Sequence, residues 1–441
     1  MSDPRATYDE RLSSHRAESA ALRSREQAMS VSRIVLFLAV VVVALVHVSH
    51  AWIAVPVLGF IALVVAHDRV IRRRRRADAA ARFCERGIER LSGEWRGKGF
   101  DGAGFAAEHH LFAADLDLFG KGSIYELLCN AATAAGQATL ARWLMHPGDV
   151  TAAEVRERQI AVDELRERVE LREEIFVVAA EVASEVEEAK LDEWSQGAAV
   201  LRRGERVAAV VITVLSVAAS VIGIPALVAR FVNLTNPGTM AVHSPMETVP
   251  FFVMIVVISL FGRRLSARVA VITGAVERRE PALALLAGLL AVLERQSFTS
   301  PRLIALRATL ERDGVPASHQ IERLRKLVSL LDAQRNQFFM PFAKLLLWTT
   351  HIAFAIERWR TESGTEIVGW IATIAEMEAL LSLSSFAFEQ PAFVIPEIVE
   401  GEALFDGDAV GHPLIPGDRR VANDVRIGGA LRLLIVSGSN M

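Results

Sequence analysis

From Gly411 to Met441 the chain reads GHPLIPGDRRVANDVRIGGALRLLIVSGSNM, and the last third of that stretch decides how the rest is read. The apolar run Leu431–Val436 has the composition of a buried strand, and Ser437-Gly438 begins a turn. A strand that runs into a glycine turn is how a phosphate-binding loop of the form G-x-x-x-x-G-K-[ST] starts. In such a loop backbone N–H groups cradle phosphates, the lysine reaches the terminal phosphates and the hydroxyl binds magnesium. Only the first glycine and three following residues are present, so by themselves they also describe an ordinary strand-to-turn glycine.

The residues around them carry more. Gly411-His412-Pro413-Leu414-Ile415, then Val421-Ala422-Asn423-Asp424-Val425, then LLIVSGSNM follow one another at close spacing. Together they resemble the start of the ATPase domain of the MutS family of DNA mismatch-repair proteins. There an HP-containing strand, a P/A-N-D-V turn and a hydrophobic strand lead into G-P-N-M-x-G-K-S-T. Gly438, Asn440 and Met441 match that loop, and Ser439 stands in place of its usual proline. The resemblance implies a nucleotide site at Gly438, Ser439, Asn440 and Met441, with His412, Asn423 and Asp424 toward the adenine side. It implies ATP and Mg as cofactors, and it places the remaining glycine, lysine and Ser/Thr after Met441. Hydrolysis needs those groups and a later acidic residue, so no residue of this chain is assigned a catalytic role.

Working upstream, Leu116-Asp117-Leu118-Phe119-Gly120 and Gly122-Ser123-Ile124-Tyr125-Glu126-Leu127-Leu128 resemble the opening of the MutS core domain. Thr133-Ala134-Ala135-Gly136, the stretch Leu140–Pro147 and Arg158-Gln159-Ile160-Ala161-Val162 are similar to the family's T-x-x-G turn, R-x-W-L-x-x-P helix end and R-Q-x-A-V helix. Ile374–Ala387 resembles the long helix that returns to the ATPase, stopped by Pro391 and Pro396. The apolar spacing of Leu127, Leu128, Ala131, Leu140, Trp143 and Leu144 makes these amphipathic packing helices, a scaffold rather than a catalytic signature.

Between these stretches lie segments of a different character. Ile34–Val48 and Ala51–Ala66 are apolar, each slightly short of the roughly 20 residues that cross a bilayer. Arg23, Arg25 and Arg33 precede them and Arg69 and Arg72–Arg76 follow, while the connector has no basic residue, so both ends are expected in the cytoplasm. Val207–Val232 and Val249–Phe261 repeat the arrangement, with Arg202, Arg203 and Arg206 before and Arg263, Arg264 and Arg268 behind. Phe338–Ile356 is also apolar, but Pro341, Lys344 and His351 favour a buried helix over a fifth span.

Composition agrees with a chain part membrane and part soluble: 52% hydrophobic residues and 23% charged, with a mean hydropathy of +0.31. A net charge of -3 gives no global basic excess for nucleic acid, so any DNA contact needs a local patch. The two cysteines, Cys84 and Cys129, form no C-x-x-C pair and read as reduced thiols.

Four local features are weighed and set aside. His109-His110 with Asp115 and Asp117 lacks a second set of metal ligands, so no metal site is expected. Phe83-Cys84-Glu85 has the letters of a mismatch-wedging F-x-E but neither the preceding glycine nor the mixed α/β surroundings. The Arg72–Arg76 run is read as a topology and lipid-contact signal. The alternating charges of Glu154–Glu174 are read as a solvated helix face.

The expectation is therefore a mainly α protein. Four transmembrane helices join a MutS-like helical core and lever domain, which ends in the first β-strands of an ABC-class α/β ATPase domain. Its segments are 1–30 N-terminal and cytoplasmic, 31–67 first transmembrane hairpin, 68–205 core, 206–262 second hairpin, 263–400 core and lever, and 401–441 start of the ATPase domain. The expected setting is the cell inner or plasma membrane, multi-pass, with the soluble parts cytoplasmic. Expected partners are membrane lipid, ATP and a second copy joined through the ATPase domain, with double-stranded DNA as a candidate. The alternatives are half of an ABC-type exporter and a catalytically inactive membrane scaffold.

Overall fold

The computed structural model describes residues 3–45, 51–107, 109–181, 194–195, 197, 200–235, 245–333, 337 and 339–436. It is 72% helical with few strands. In chain order the helices are α1 (Pro4–Leu45), α2 (Ala51–Ser92), α3 (Ile124–Leu128), α4 (Ala134–Met145), α5 (Ala152–Arg166), α6 (Val169–Glu181), α7 (Arg203–Thr235), α8 (Val249–Glu277), α9 (Glu280–Glu294), α10 (Pro301–Ala308), α11 (Ala317–Asp332), α12 (Met340–Leu345) and α13 (Trp348–Glu389). Strands β1 (Glu311–Arg312) and β2 (Val315–Pro316) form one small antiparallel pair, and β3 (Phe405–Val410) and β4 (Asn423–Ile427) another. The chain divides into two compact units, residues 1–183, 295–308 and 373–441 in the first and 184–294 and 309–372 in the second.

In the first unit α1 and α2 lie antiparallel along one another. Tyr8 meets Gly87, whose lack of a side chain is required because a Cβ there would come within 2.5 Å of the tyrosine ring. Farther along, Ser19 donates to Asp78 and Arg74 to Glu26, and Leu36 approaches Gly59. Local signals start the short helices. Ser123 caps α3, Thr133 caps α4, and Thr151 with Glu154 forms a capping box on α5.

The second unit holds the expected hairpin α7–α8. Gly223 lets Phe251 pack against its backbone, where an added Cβ would come within 2.5 Å of Phe251 Cβ and 3.1 Å of its ring. Val207, Val214, Val221, Phe231, Val256 and Leu260 are all more than half exposed. Apolar side chains that face outward along two long helices suit a lipid surround and not water. Ser216 and Thr213 hydrogen-bond Leu345 O and His351 Nε2, tying α7 to α12 and α13.

Among the described residues three helices, not four, are long and apolar enough to cross a membrane: Arg203–Val232, Met246–Glu277 and Trp348–Glu389. The first two coincide with the expected second hairpin. The first hairpin, expected over 31–67, is not among them. Residues 46–50 between α1 and α2 lie outside the described residues. The third helix takes in the latter part of Phe338–Ile356; its most apolar window is 67% buried by protein, the burial of a packing helix.

Two further expectations fail. Leu431–Val436 is not a buried strand: apart from one bridge between Gly428 and Leu431 it is irregular, and Leu433, Ile435 and Val436 are 70%, 79% and 85% exposed. A buried strand needs paired neighbours and cover on its faces, and the two-stranded β3–β4 pair provides neither. Glu154–Glu174 is only partly solvated, because Arg172 and Glu173 are buried on α6.

Candidate functional site

Every described residue of the expected nucleotide segment belongs to the first unit. Strand β3 pairs with β4 so that Phe405 faces Ile427 and Val410 faces Asn423, with a register shift between Gly407 and Val410. Ala409 in that bulge has a φ of 51°, and its N–H is taken by Asp424 Oδ1 at 2.8 Å. Asn423 and Asp424 therefore open a strand where a turn was expected, and Asp424 holds the bulge closed. Gly411-His412-Pro413, expected as strand, is a loop, consistent with proline's missing N–H. His412 lies two residues past the last paired position and is exposed, its Nδ1 accepting from Leu414 N at 3.3 Å.

The structure thus brings His412, Asn423 and Asp424 to one end of one hairpin. Gly438, Ser439, Asn440 and Met441 lie outside the described residues.

This segment is fastened to the helices below it. Leu414 packs with Trp95 and Leu127, and its carbonyl accepts from Arg96 Nη2 at 2.6 Å. On α5, Arg156 donates to Ile398 O and Gln159 to Pro396 O. Arg158, next to Gln159, lies over the Trp143 ring at 4.1 Å. The residues that resemble the R-x-W-L and R-Q-x-A-V patterns thereby form one contact surface.

Beneath it are two buried carboxylates that the sequence does not announce. Glu378 on α13 accepts from the backbone N–H of Ala132 at 2.9 Å, and from both the N–H and the hydroxyl of Thr133. Gly136 is required here, because a Cβ would meet Glu378 Oε2 at 2.2 Å. The T-x-x-G turn is thus the seat of a glutamate supplied by α13. Glu389 ends the same helix, accepting from Arg90 through two nitrogens at 2.6 and 2.8 Å and from the Tyr8 hydroxyl at 2.9 Å. Burial, and then the charge of Glu389, pushes the Tyr8 hydroxyl well above its ordinary value of 10.0.

The features set aside earlier have plain roles. His110 Nε2 is 3.0 Å from Met145 O and its ring packs on Phe112 and His146. Phe83 and Cys84 lie in a core with Tyr8 and Phe388, out of reach of DNA. Of the Arg72–Arg76 run, Arg72, Arg74 and Arg76 are ion-paired to Asp68, to Glu26 and Asp78, and to Glu181.

Sequence reading missed a convergence of His15, Cys84 and Glu173, contributed by α1, α2 and α6. No spacing rule could have found it, because the three come from separate helices and only packing brings them together. Comparisons with protein-family models, with curated proteins and with solved structures find no match for this chain.

Proposed function

We propose that this protein is a membrane-anchored, MutS-like ATP-binding protein in which a helical core relays nucleotide state from the 401–441 segment. The observation that carries the proposal is the Glu378 clasp on Thr133 and Gly136. It joins two stretches that separately resemble the MutS core, and it uses the residue types that make each stretch recognisable. The attachment of Pro396, Ile398 and Leu414 to α5 and the end of α2 supports a mechanical link, since displacement of the segment pulls on those helices.

On this reading His412, Asn423 and Asp424 line the adenine side and Gly438 to Met441 begin the phosphate cradle. When bound, ATP with Mg supplies the energy for closing two copies onto each other; the residues of this chain orient the nucleotide and hold the cradle to the core. Hairpin α7–α8 anchors the protein in the membrane, with the arginines at its two ends on the cytoplasmic side. Phe83, the residue that would wedge into a mismatch, is buried in the core, so on this reading any contact with duplex DNA is to its backbone.

The coding sequence after Met441 tests this reading. The proposal expects x-G-K-[ST] at once; a continuation with no lysine in that position removes the nucleotide cradle and leaves the inactive-scaffold alternative. An exporter half is less well supported, because exporters of that type carry six long spans and the described residues hold three candidates.

A further inference from the structure

The convergence of His15, Cys84 and Glu173 has the makings of a metal site. One donor atom from each residue lies within 4.8 Å of the other two. His15 Nε2 is 3.0 Å from Glu173 Oε1, and Cys84 Sγ is 3.9 Å from Glu173 Oε2. Ligand atoms at the corners of a tetrahedron around a zinc-sized ion, with bonds of about 2.0–2.3 Å, are roughly 3.3–3.7 Å apart; the two separations, each to a different oxygen of Glu173, lie on either side of that length, so small side-chain adjustments would bring the three atoms onto one ion.

The imidazole supplies the second observation. His15 Nε2 is buried and makes no aligned hydrogen bond, although a carboxylate oxygen is 3.0 Å away. Nitrogen and oxygen are thus close without pointing at each other, as two ligands of a common centre are. Arg11 Nε holds Glu173 Oε2 at 3.0 Å, fixing the carboxylate and leaving Oε1 toward the histidine. Beside His15 and Glu173 opens a cavity of about 340 Å³ whose wall also carries Glu18, Arg73 and Arg76. The cavity gives water a route to the His15 and Glu173 side of the cluster, where a fourth coordination position would lie.

We propose that His15, Cys84 and Glu173 bind one divalent ion of the zinc class, with thiolate, imidazole and carboxylate ligands and a fourth position open to the cavity. A thiolate and an imidazole select a borderline-soft ion over magnesium or calcium. On binding, the S–H bond of Cys84 is replaced by a sulfur–metal bond and the proton leaves to solvent. Without an ion, burial and then the charge of Glu173 push the Cys84 thiol up to about 12, and it stays protonated; a cation reverses the sign of that environment. The ion would cross-link α1, α2 and α6, independently of any nucleotide.

The test uses the full chain carrying Cys129→Ser, purified in detergent, stripped with a chelator and titrated with Co²⁺. The expected result is one equivalent bound, a thiolate-to-cobalt charge-transfer band and four-coordinate d–d bands, displaced by Zn²⁺ and not by excess Mg²⁺. His15→Ala, at a partly exposed position, should weaken binding roughly ten-fold or more with unchanged circular dichroism, and Cys84→Ser should abolish the charge-transfer band. A folded Cys129→Ser protein without that band overturns the proposal, as does a titration unaltered by His15→Ala. Both readings stand even if Cys84→Ser does not fold.

Discussion

The carboxylate of Glu378 accepts the backbone N–H of Thr133, 245 positions earlier in the chain, at 3.3 Å, and the hydroxyl of the same residue closes onto it. With Glu378 only 3% exposed, its removal would strand the buried donors of Thr133 and take the acceptor from the Ala132 N–H. Glu378→Ala should therefore cost about 2 kcal/mol, and Glu378→Gln, which keeps one acceptor oxygen, should cost less. Urea unfolding in detergent measures both. A loss below about 0.5 kcal/mol would mean that the clasp contributes little.

Arg90 and Glu389 form a buried pair whose partners cannot be separated without cost. Arg90→Leu leaves an uncompensated carboxylate and should destabilise by about 3–5 kcal/mol. The double change Arg90→Leu with Glu389→Leu should recover a good part of that loss, since it removes the stranded charge. If the double variant is as unstable as the sum of the two single ones, the pair acts through packing alone.

The chain has two tyrosines, Tyr8 and Tyr125, and both are fully buried. Burial is the first cause that raises each hydroxyl above 10.0, joined by Glu389 at Tyr8 and by Cys129 at Tyr125. A raised folded value means that the stabilising contribution is complete below pH 10, where both states are protonated. It is lost as pH climbs through the folded values, because the unfolded chain sheds its protons first. Ultraviolet titration of phenolate should show no ionisation near pH 10 in folded protein, and then release of both tyrosines together with unfolding. A reversible phenolate signal near pH 10 in folded protein would contradict this.

The outward faces of α7 and α8 should behave as lipid contacts. Val214 and Val221 are 62% and 68% exposed, so arginine there has room to point away from the protein, yet it should cost about 2.5–3.5 kcal/mol of insertion if the helix centre lies in hydrocarbon. Val214→Arg or Val221→Arg should shift the protein out of the carbonate-resistant membrane fraction. Ile160→Arg, at a position 53% exposed on α5, should leave that fraction unchanged. Equal behaviour of the three would argue that α7 does not cross the bilayer.

Much of this architecture could be read from residues alone. The apolar hairpin flanked by arginines and the stop before Pro391 follow from local chemistry, and the structure has helices at those places. What could not be read depends on long-range packing. Arg172 and Glu173 follow a helical charge pattern that suits water, but neighbours from α1 and α13 bury them. Thr133 and Gly136 look like an ordinary cap until Glu378 arrives from the far end of the chain. Leu431–Val436 has the hydropathy of a buried strand, but hydropathy states what a segment needs and not whether this chain supplies it. Nor does the length of an apolar run reveal cover by protein, which is why Trp348–Glu389 scores as a span while two-thirds of its apolar window is buried.

ATP hydrolysis by the membrane-embedded gene product, expressed with whatever residues follow Met441, is the most direct test of the account. The prediction is magnesium-dependent hydrolysis that is lost when the lysine of the completed loop is replaced by alanine, with nucleotide protection of the 401–436 segment from proteolysis. Absence of nucleotide binding in folded protein, or hydrolysis indifferent to that lysine, would contradict it.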